Sequence, residues 1–466
     1  MLFSSVTFLF IFLPIVVCGY YILPKRFRNF YLLVASILFY AFGEPKFLIL
    51  MLITIFTNYI GTLLLYNFEK FKKLFLVTTV LIDLGLLCYF KYFNFLIYCI
   101  NEIFRTRFDI LHIALPLGIS FYIFQAISYT ADVYKGIIKP EKNLYKFALY
   151  ITLFPQLIAG PILRYSDLSE QIDNRKETLE QFYYGLRRFI IGLARKVLIA
   201  DCLMLVVNRV LESAISDITI WEVWLALICF LFQLYNDFGG YTDMAVGLGA
   251  MFGFKIKENF NFPLLSQSYT EFWRRWHITL GLWVKDYIYI PLGGNRCSKL
   301  KHYFNLFIAF FVIGIWHGAN FNMIVYGLYN AFVAILEKVT GWSNKVTSKR
   351  MIALHHIYMF FVLTTSCFLL RAPNFKYAIE FYKRTIGIGQ PKFPIYTIEY
   401  YITNVEIIVL IIAFLGAIGL FKNILNYSRK NIVYNSVMDF CLVILLVLSV
   451  SAIAISSYTP FLYFGF

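Results

Sequence analysis

The sequence predicts an all-α, polytopic integral membrane protein with roughly 11–13 membrane segments, since a helix needs about 20 residues to cross a bilayer. Three observations predict it. Hydrophobic residues make up 60% of the 466 and charged residues 15%, whereas soluble domains carry about 45–50% and about 25%. Mean hydropathy is +0.70. Apolar runs alternate with short basic clusters along the whole chain. With 50 Phe and 35 Tyr, the aromatic share is 20%. Water cannot solvate a fold with that much apolar surface, so lipid must be part of its solvent. A secreted disulfide scaffold, a disordered chain and a cytosolic enzyme are excluded.

The first apolar run covers about 6–23. No basic residue precedes Lys25 and no small-residue cleavage site follows, so it reads as a retained span and not a signal peptide. Lys25, Arg26 and Arg28 close it, and Lys70, Lys72 and Lys73 close the third run, about 47–66. Lys139, Lys142 and Lys146 follow the run ending near 134. Arg296, Lys299 and Lys301 precede the run from 303, and Lys338, Lys345, Lys349 and Arg350 follow the run at 321–337. Lys422, Arg429 and Lys430 separate the last two runs, of which the final one spans about 432–456. If all six loops are cytoplasmic, the spans alternate without conflict, with both termini outside a plasma membrane.

Two central stretches are poor simple spans. Residues 147–163 hold Pro155, Gly160 and Pro161, with Arg164 just beyond. Residues 230–253 hold Asp237, Gly239, Gly240, Asp243, Gly247 and Gly249. Broken backbone at membrane depth is tolerated only inside protein or beside a cavity. Re-entrant or tilted elements around an internal tunnel are therefore expected in the middle, within one membrane-embedded domain over 1–466.

The net charge of +16 resides in the loops between apolar runs, which fits cytoplasmic loops and not nucleic-acid binding. The eight cysteines form no C-x-x-C pair, so neither a zinc site nor a disulfide framework is indicated, and no metal is expected.

Two of the six histidines stand out, because ionisable residues at membrane depth are costly and usually line a functional cavity. His317 follows the apolar run from Tyr303 by 14 residues, about 21 Å of helical rise. A neutral imidazole there can take a proton from a hydroxyl, because its unperturbed pKa is near 6.5; it can equally be a helix-packing donor. His277 sits in Trp273-Arg274-Arg275-Trp276-His277, a pattern also expected of an interfacial helix with an aromatic belt. His112, His302, His355 and His356 fall at span ends. Asp237 and Asp243 could bind a cation, orient a histidine or simply pack a broken helix. No G-x-S-x-G, H-E-x-x-H or P-loop is present.

A longer series of motifs occurs in order: Tyr235-Asn-Asp-Phe-Gly-Gly-Tyr-Thr-Asp-Met244, Glu258-Asn-Phe-Asn-Phe-Pro263, Thr270-Glu-Phe-Trp-Arg-Arg-Trp-His-Ile278, Tyr287-Ile-Tyr-Ile-Pro-Leu-Gly-Gly-Asn-Arg296 and Trp316-His-Gly-Ala-Asn320. Leu115-Pro-Leu-Gly-Ile-Ser120, Asp132-Val-Tyr-Lys-Gly136 and Phe154-Pro-Gln-Leu-Ile-Ala-Gly-Pro161 extend the pattern. The chain resembles the membrane-bound O-acyltransferase (MBOAT) family over essentially its whole length, and within it the bacterial branch that O-acetylates alginate and peptidoglycan. The family motifs lie at about 115–330, with two further spans at about 403–457.

The resemblance implies a helical bundle around a tunnel and acyl transfer from a cytoplasmic donor to a hydroxyl on the other side. It makes His317 the central catalytic residue and His277 a second, supporting one. Trp276, Trp316, Asn320, Asp237 and Asp243 become supporting or tunnel positions. It implies acetyl-CoA as donor substrate with no bound cofactor. Arg274, Arg275 and Lys285 are basic residues near the expected cytoplasmic mouth and donor-binding candidates for its phosphates, though these side chains can equally snorkel to lipid headgroups. The branch's Asp-Phe-Ser-Gly run reads Asp237-Phe-Gly-Gly here, so a hydroxyl is lost at Gly239.

The expected function is O-acetylation of an extracellular or cell-wall polysaccharide by a membrane acyltransferase. The chain carries almost no outer domain to hold a polymer, so an extracytoplasmic SGNH-type acetyltransferase partner is expected beside the lipid bilayer. Rival readings are D-alanyl transfer to teichoic acid, a transporter using the same tunnel, and a non-catalytic scaffold. The terminal Phe461-Leu-Tyr463-Phe-Gly-Phe466 resembles an acyl-carrying motif of teichoic-acid D-alanylation, which would make Tyr463 an acyl carrier; an interfacial aromatic anchor is the alternative.

Overall fold

The computed structural model describes residues 1–111, 113–342, 348–392, 395–421 and 432–455. Among these the secondary structure is helical, without strands. Among the described residues, seven helical segments are long and apolar enough to cross a membrane alone, and two shorter apolar helices accompany them. His112 and Tyr463 lie outside the described residues.

The chain divides into two compact units, residues 1–186 with 244–257 and residues 187–243 with 258–466. In the first, α1 (Leu13–Ile22), α2 (Lys25–Gly43), α3 (Leu48–Asn67), α4 (Lys72–Leu87), α5 (Phe93–Phe104) and α6 (Ile119–Tyr134) supply the long elements. Lipid gives no hydrophobic drive to join helices, so polar contacts pin them. Asn58 of α3 donates to both carboxylate oxygens of Asp83 on α4, at 3.0 and 2.9 Å, and accepts from Thr130 of α6 at 2.7 Å.

The stretch at 147–163 is broken, as its prolines predict. Helix α7 (Leu144–Thr152) stops, one short turn α8 (Phe154–Leu157) follows, and an extended segment leads to α9 (Tyr165–Asn174). This irregular backbone is buried in protein, the one setting that membrane depth permits.

The second unit begins within α10 (Leu179–Ala194), which runs straight into a π turn at Arg195–Ala200 and then α11 (Asp201–Glu212). Helix α12 (Ile220–Met251) is continuous over 32 residues, contrary to the expected break at 230–253. Its glycines serve close approach and not chain breaking. A Cβ on Gly240 would lie 2.7 Å from the Gly192 carbonyl oxygen, and one on Gly239 would lie 2.5 Å from the Arg195 guanidinium. Its acids stay in the helix because cations meet them there.

Short helices α13 (Tyr269–Arg275) and α14 (Ile278–Val284) precede the long hairpin of α15 (Lys299–His317) and α16 (Phe321–Thr340). The hairpin is tight because Gly314 faces Gly327; a Cβ on Gly314 would lie 2.6 Å from the Gly327 Cα. Helices α17 (Lys349–Phe368), α18 (Phe375–Thr385), α19 (Ile398–Tyr401), α20 (Asn404–Ala417) and α21 (Ile432–Ile455) complete the order.

Candidate active site

His317 is the last residue of α15, where the Gly318-Ala-Asn320 turn reverses the chain into α16. The turn closes because Asn320 caps α16, its side chain accepting from the Met323 backbone N–H at 3.0 Å. The His317 imidazole is only 2% exposed. It stands edge-on to Trp316, with ring centroids 5.0 Å apart, and perpendicular to Tyr326 of α16 at 5.4 Å.

His277 reaches the same place from a different element. It is the N-cap of α14 and adopts φ +42°, ψ 53°, a left-handed conformation. For a residue with a Cβ this costs on the order of 1–3 kcal/mol, and such strain concentrates at functional sites. The ring is fully buried. It packs edge-on against Phe238 of α12 at 4.8 Å and against Trp316 at 5.7 Å. Trp316 therefore touches both imidazoles.

The turn is held by the segment at 259–261. Asn261 donates its backbone N–H to the Arg275 carbonyl, and Ile278 donates to the Asn259 carbonyl, both at 2.9 Å. The Asn259 side chain then gathers three polar groups around one oxygen. Oδ1 accepts from the Thr279 N–H at 3.1 Å and the Thr279 hydroxyl at 2.9 Å, and lies 3.2 Å from His277 Nδ1. Trp276 walls this turn with Phe260 at 4.9 Å and Phe272 at 5.5 Å.

An ionic layer lies along α12. Asp237 faces Lys196 of the π turn at 3.3 Å, and Lys196 also binds Asp201. Asp243 is held by Arg188 at 2.6 Å and by Arg195, and Arg188 continues to Glu258, 2.7 Å away. Arg188 and Arg195 are seven residues apart, two turns of one helical face. Six residues separate the two acids along α12, about 9 Å, so adjacent Arg195 and Lys196 each meet a different acid. Each charge here is paired with an opposite one, which is what keeps buried ions tolerable.

The structure thus brings together His317, His277 and Trp316, with Trp276 next to His277 in the chain, while Asp237 and Asp243 are ion-paired groups of α12, the helix whose Phe238 packs on His277. Among the described residues no cluster of three or more His, Cys, Asp or Glu forms a metal site. Asn320 is exposed and works as a helix cap. Of the donor-binding candidates, Arg274 and Lys285 are exposed, while Arg275 is engaged by Glu271 at 2.8 Å. Asn259, Phe238, Tyr326, Lys196, Arg188 and Arg195 escaped the sequence reading. A signal existed for the cations: buried charges in one apolar stretch demand acids in another.

A family model, membrane-bound O-acyltransferase, matches residues 139–371. A protein of Pseudomonas putida named "Probable alginate O-acetylase AlgI" is 38% identical over the full length of both chains. A "Peptidoglycan O-acetyltransferase" of Helicobacter pylori is 34% identical over 84% of this chain and 80% of its own. A "Teichoic acid D-alanyltransferase" of Bacillus subtilis is 30% identical but covers 46% of this chain and 57% of its own. The matched region contains both histidines, Asn259 and the ionic layer, and the chain belongs to the membrane-bound O-acyltransferase family, a multi-pass membrane O-acetyltransferase by its fold and by the relatives that match most of its length.

Proposed function

We propose that this enzyme moves an acetyl group from cytoplasmic acetyl-CoA toward O-acetylation of an extracellular or cell-wall polysaccharide, in the plasma membrane and with both termini outside. The observation that carries the reading is the pair of buried imidazoles, His317 and His277, in contact with one indole, Trp316. The relatives that match most of the chain are named for O-acetylation, of alginate and of peptidoglycan.

The chemistry needs one proton carrier. The His317 imidazole takes the proton of an attacking hydroxyl as its oxygen bonds to the thioester carbonyl carbon. The carbon–sulfur bond then breaks, and the imidazolium returns the proton to the departing thiolate. A positioned general base contributes typically about 10²–10⁴-fold. The buried setting strengthens every charge interaction made there and keeps water from hydrolysing the thioester.

Acetyl-CoA is a substrate, and exposed Arg274 and Lys285 suit its phosphates; Arg275, engaged by Glu271, is the weaker candidate. An SGNH-type transferase on the outer side would receive the acetyl group and hold the polymer. Tyr463 is proposed as the acyl carrier between them, because a phenol oxygen both accepts an acyl group and leaves more readily than an alkyl oxygen. Tyr463→Phe keeps the ring, so an anchor tolerates it and a carrier loses polymer acetylation.

Membrane vesicles of both orientations, supplied with radiolabelled acetyl-CoA, test the reading. Label should enter hydroxyl-bearing product only when the donor reaches the cytoplasmic face. Incorporation only from the outer face would overturn it.

A further inference from the structure

We propose that Asn259 is the positioning residue of His277: it fixes the imidazole with its proton on Nδ1 and so makes Nε2 the ring atom that accepts a proton or hydrogen bond in the reaction. The proposal rests on the reading that His277 takes part in acyl transfer.

The Thr279 backbone N–H only donates, and it points at Asn259 Oδ1 from 3.1 Å. That atom is therefore the amide oxygen; the flipped amide would set an NH₂ against an N–H. An amide oxygen only accepts. His277 Nδ1, 3.2 Å from the same oxygen, must then carry a hydrogen. In a neutral imidazole one nitrogen donates and the other accepts, so Nε2 holds the lone pair.

The amide cannot turn to offer another arrangement. Its Oδ1 also accepts the Thr279 hydroxyl, at 2.9 Å, and its backbone carbonyl accepts from Ile278. Asn259 is 1% exposed, and burial leaves it no water to exchange with. The backbone of His277 cooperates: at φ +42° the residue turns its ring back toward the 259–261 segment before α14 begins. The ring is then clamped between Phe238 and Trp316, so a fixed tautomer is also a fixed direction.

The charged and titratable surroundings do not compete for this role. His317 is a titratable group that bears on His277 electrostatically. On α12, Asp237 and Asp243 are engaged by Lys196 and by Arg188 and Arg195. The proton on Nδ1 is thus assigned by a neutral amide, which fixes orientation without stabilising an imidazolium. A carboxylate in the same place would raise the ring's proton affinity and hold it charged.

A purely structural role would be to cap α14, because Thr279 N–H is one of that helix's open donors. Asn259→Asp separates the two roles, since aspartate still caps. In the native protein, ring-nitrogen NMR of isotopically labelled histidine, assigned by loss of the signal in His277→Gln, should show a protonated Nδ1 and a bare Nε2. Asn259→Ala should mix the tautomers and lower acetylation roughly 10–100-fold, the scale on which partners that orient metal-bound histidines act. Asn259→Asp should keep the tautomer, exceed Asn259→Ala in rate, and move the acidic limb of the pH–rate profile upward by roughly 1–3 units. A native His277 protonated on Nε2, or an Asn259→Asp profile that stays in place, would overturn the proposal. Native acetylation in His277→Ala, with the tautomer as assigned, would instead sink the catalytic reading of His277 and leave the hydrogen-bond assignment standing.

Discussion

His277 and Trp316 meet edge-on with ring centroids 5.7 Å apart, and Trp316 is the residue directly before His317. Two imidazoles from different parts of the chain are thereby set by one side chain. Trp316→Leu should lower acetylation by about 10²-fold at equal membrane level, the scale on which a misplacement near 1 Å acts. Unchanged acetylation would mean that the indole only fills space.

The ionic layer makes a different kind of prediction. Asp243 accepts from both Arg188 and Arg195 inside the protein, so Asp243→Ala takes from the half-buried Arg195 its carboxylate partner and leaves Arg188 with Glu258. The loss of one partner of a buried pair typically costs about 3–5 kcal/mol. Thermal unfolding of the detergent-purified enzyme should therefore fall sharply. A variant as stable as the native protein but inactive would move Asp243 from holding the fold to contacting substrate.

Asn320 is a cap and should behave as one. Asn320→Ala should cost about 1 kcal/mol of stability, with acetylation per folded molecule close to native. Asn320→Asp, which still accepts from the Met323 N–H, should restore the stability. A large drop in rate per folded molecule, at unchanged stability, would return Asn320 to the reaction itself.

His317 was legible because a histidine ending an apolar run is costly and chemically suited to a hydroxyl, and the ordered motifs of 235–320 pointed to the same residue. The prolines of 155 and 161 correctly announced a broken element, since proline cannot donate to a helix. The glycines of 239 and 240 did not mean the same thing. A glycine permits a bend and equally permits close approach of another backbone, and only the position of α10 decides which; here Gly192 lies against Gly240. Asp237 and Asp243 were open among three roles because their cations lie about 40 to 55 residues earlier in the chain, at Arg188, Arg195 and Lys196. Asn259 gave no sign of its function. Its meaning depends on one left-handed residue, His277, and on where three donors converge, neither of which follows any sequence period.

The role proposed for His317 is to carry the proton of the acyl-transfer step. Its most direct test is polymer acetylation in His317→Ala, quantified against enzyme present in the membrane. The variant should lose acetylation on the order of 10²–10⁴-fold with normal membrane abundance. Acetylation close to the native rate in a normally folded His317→Ala enzyme would contradict it.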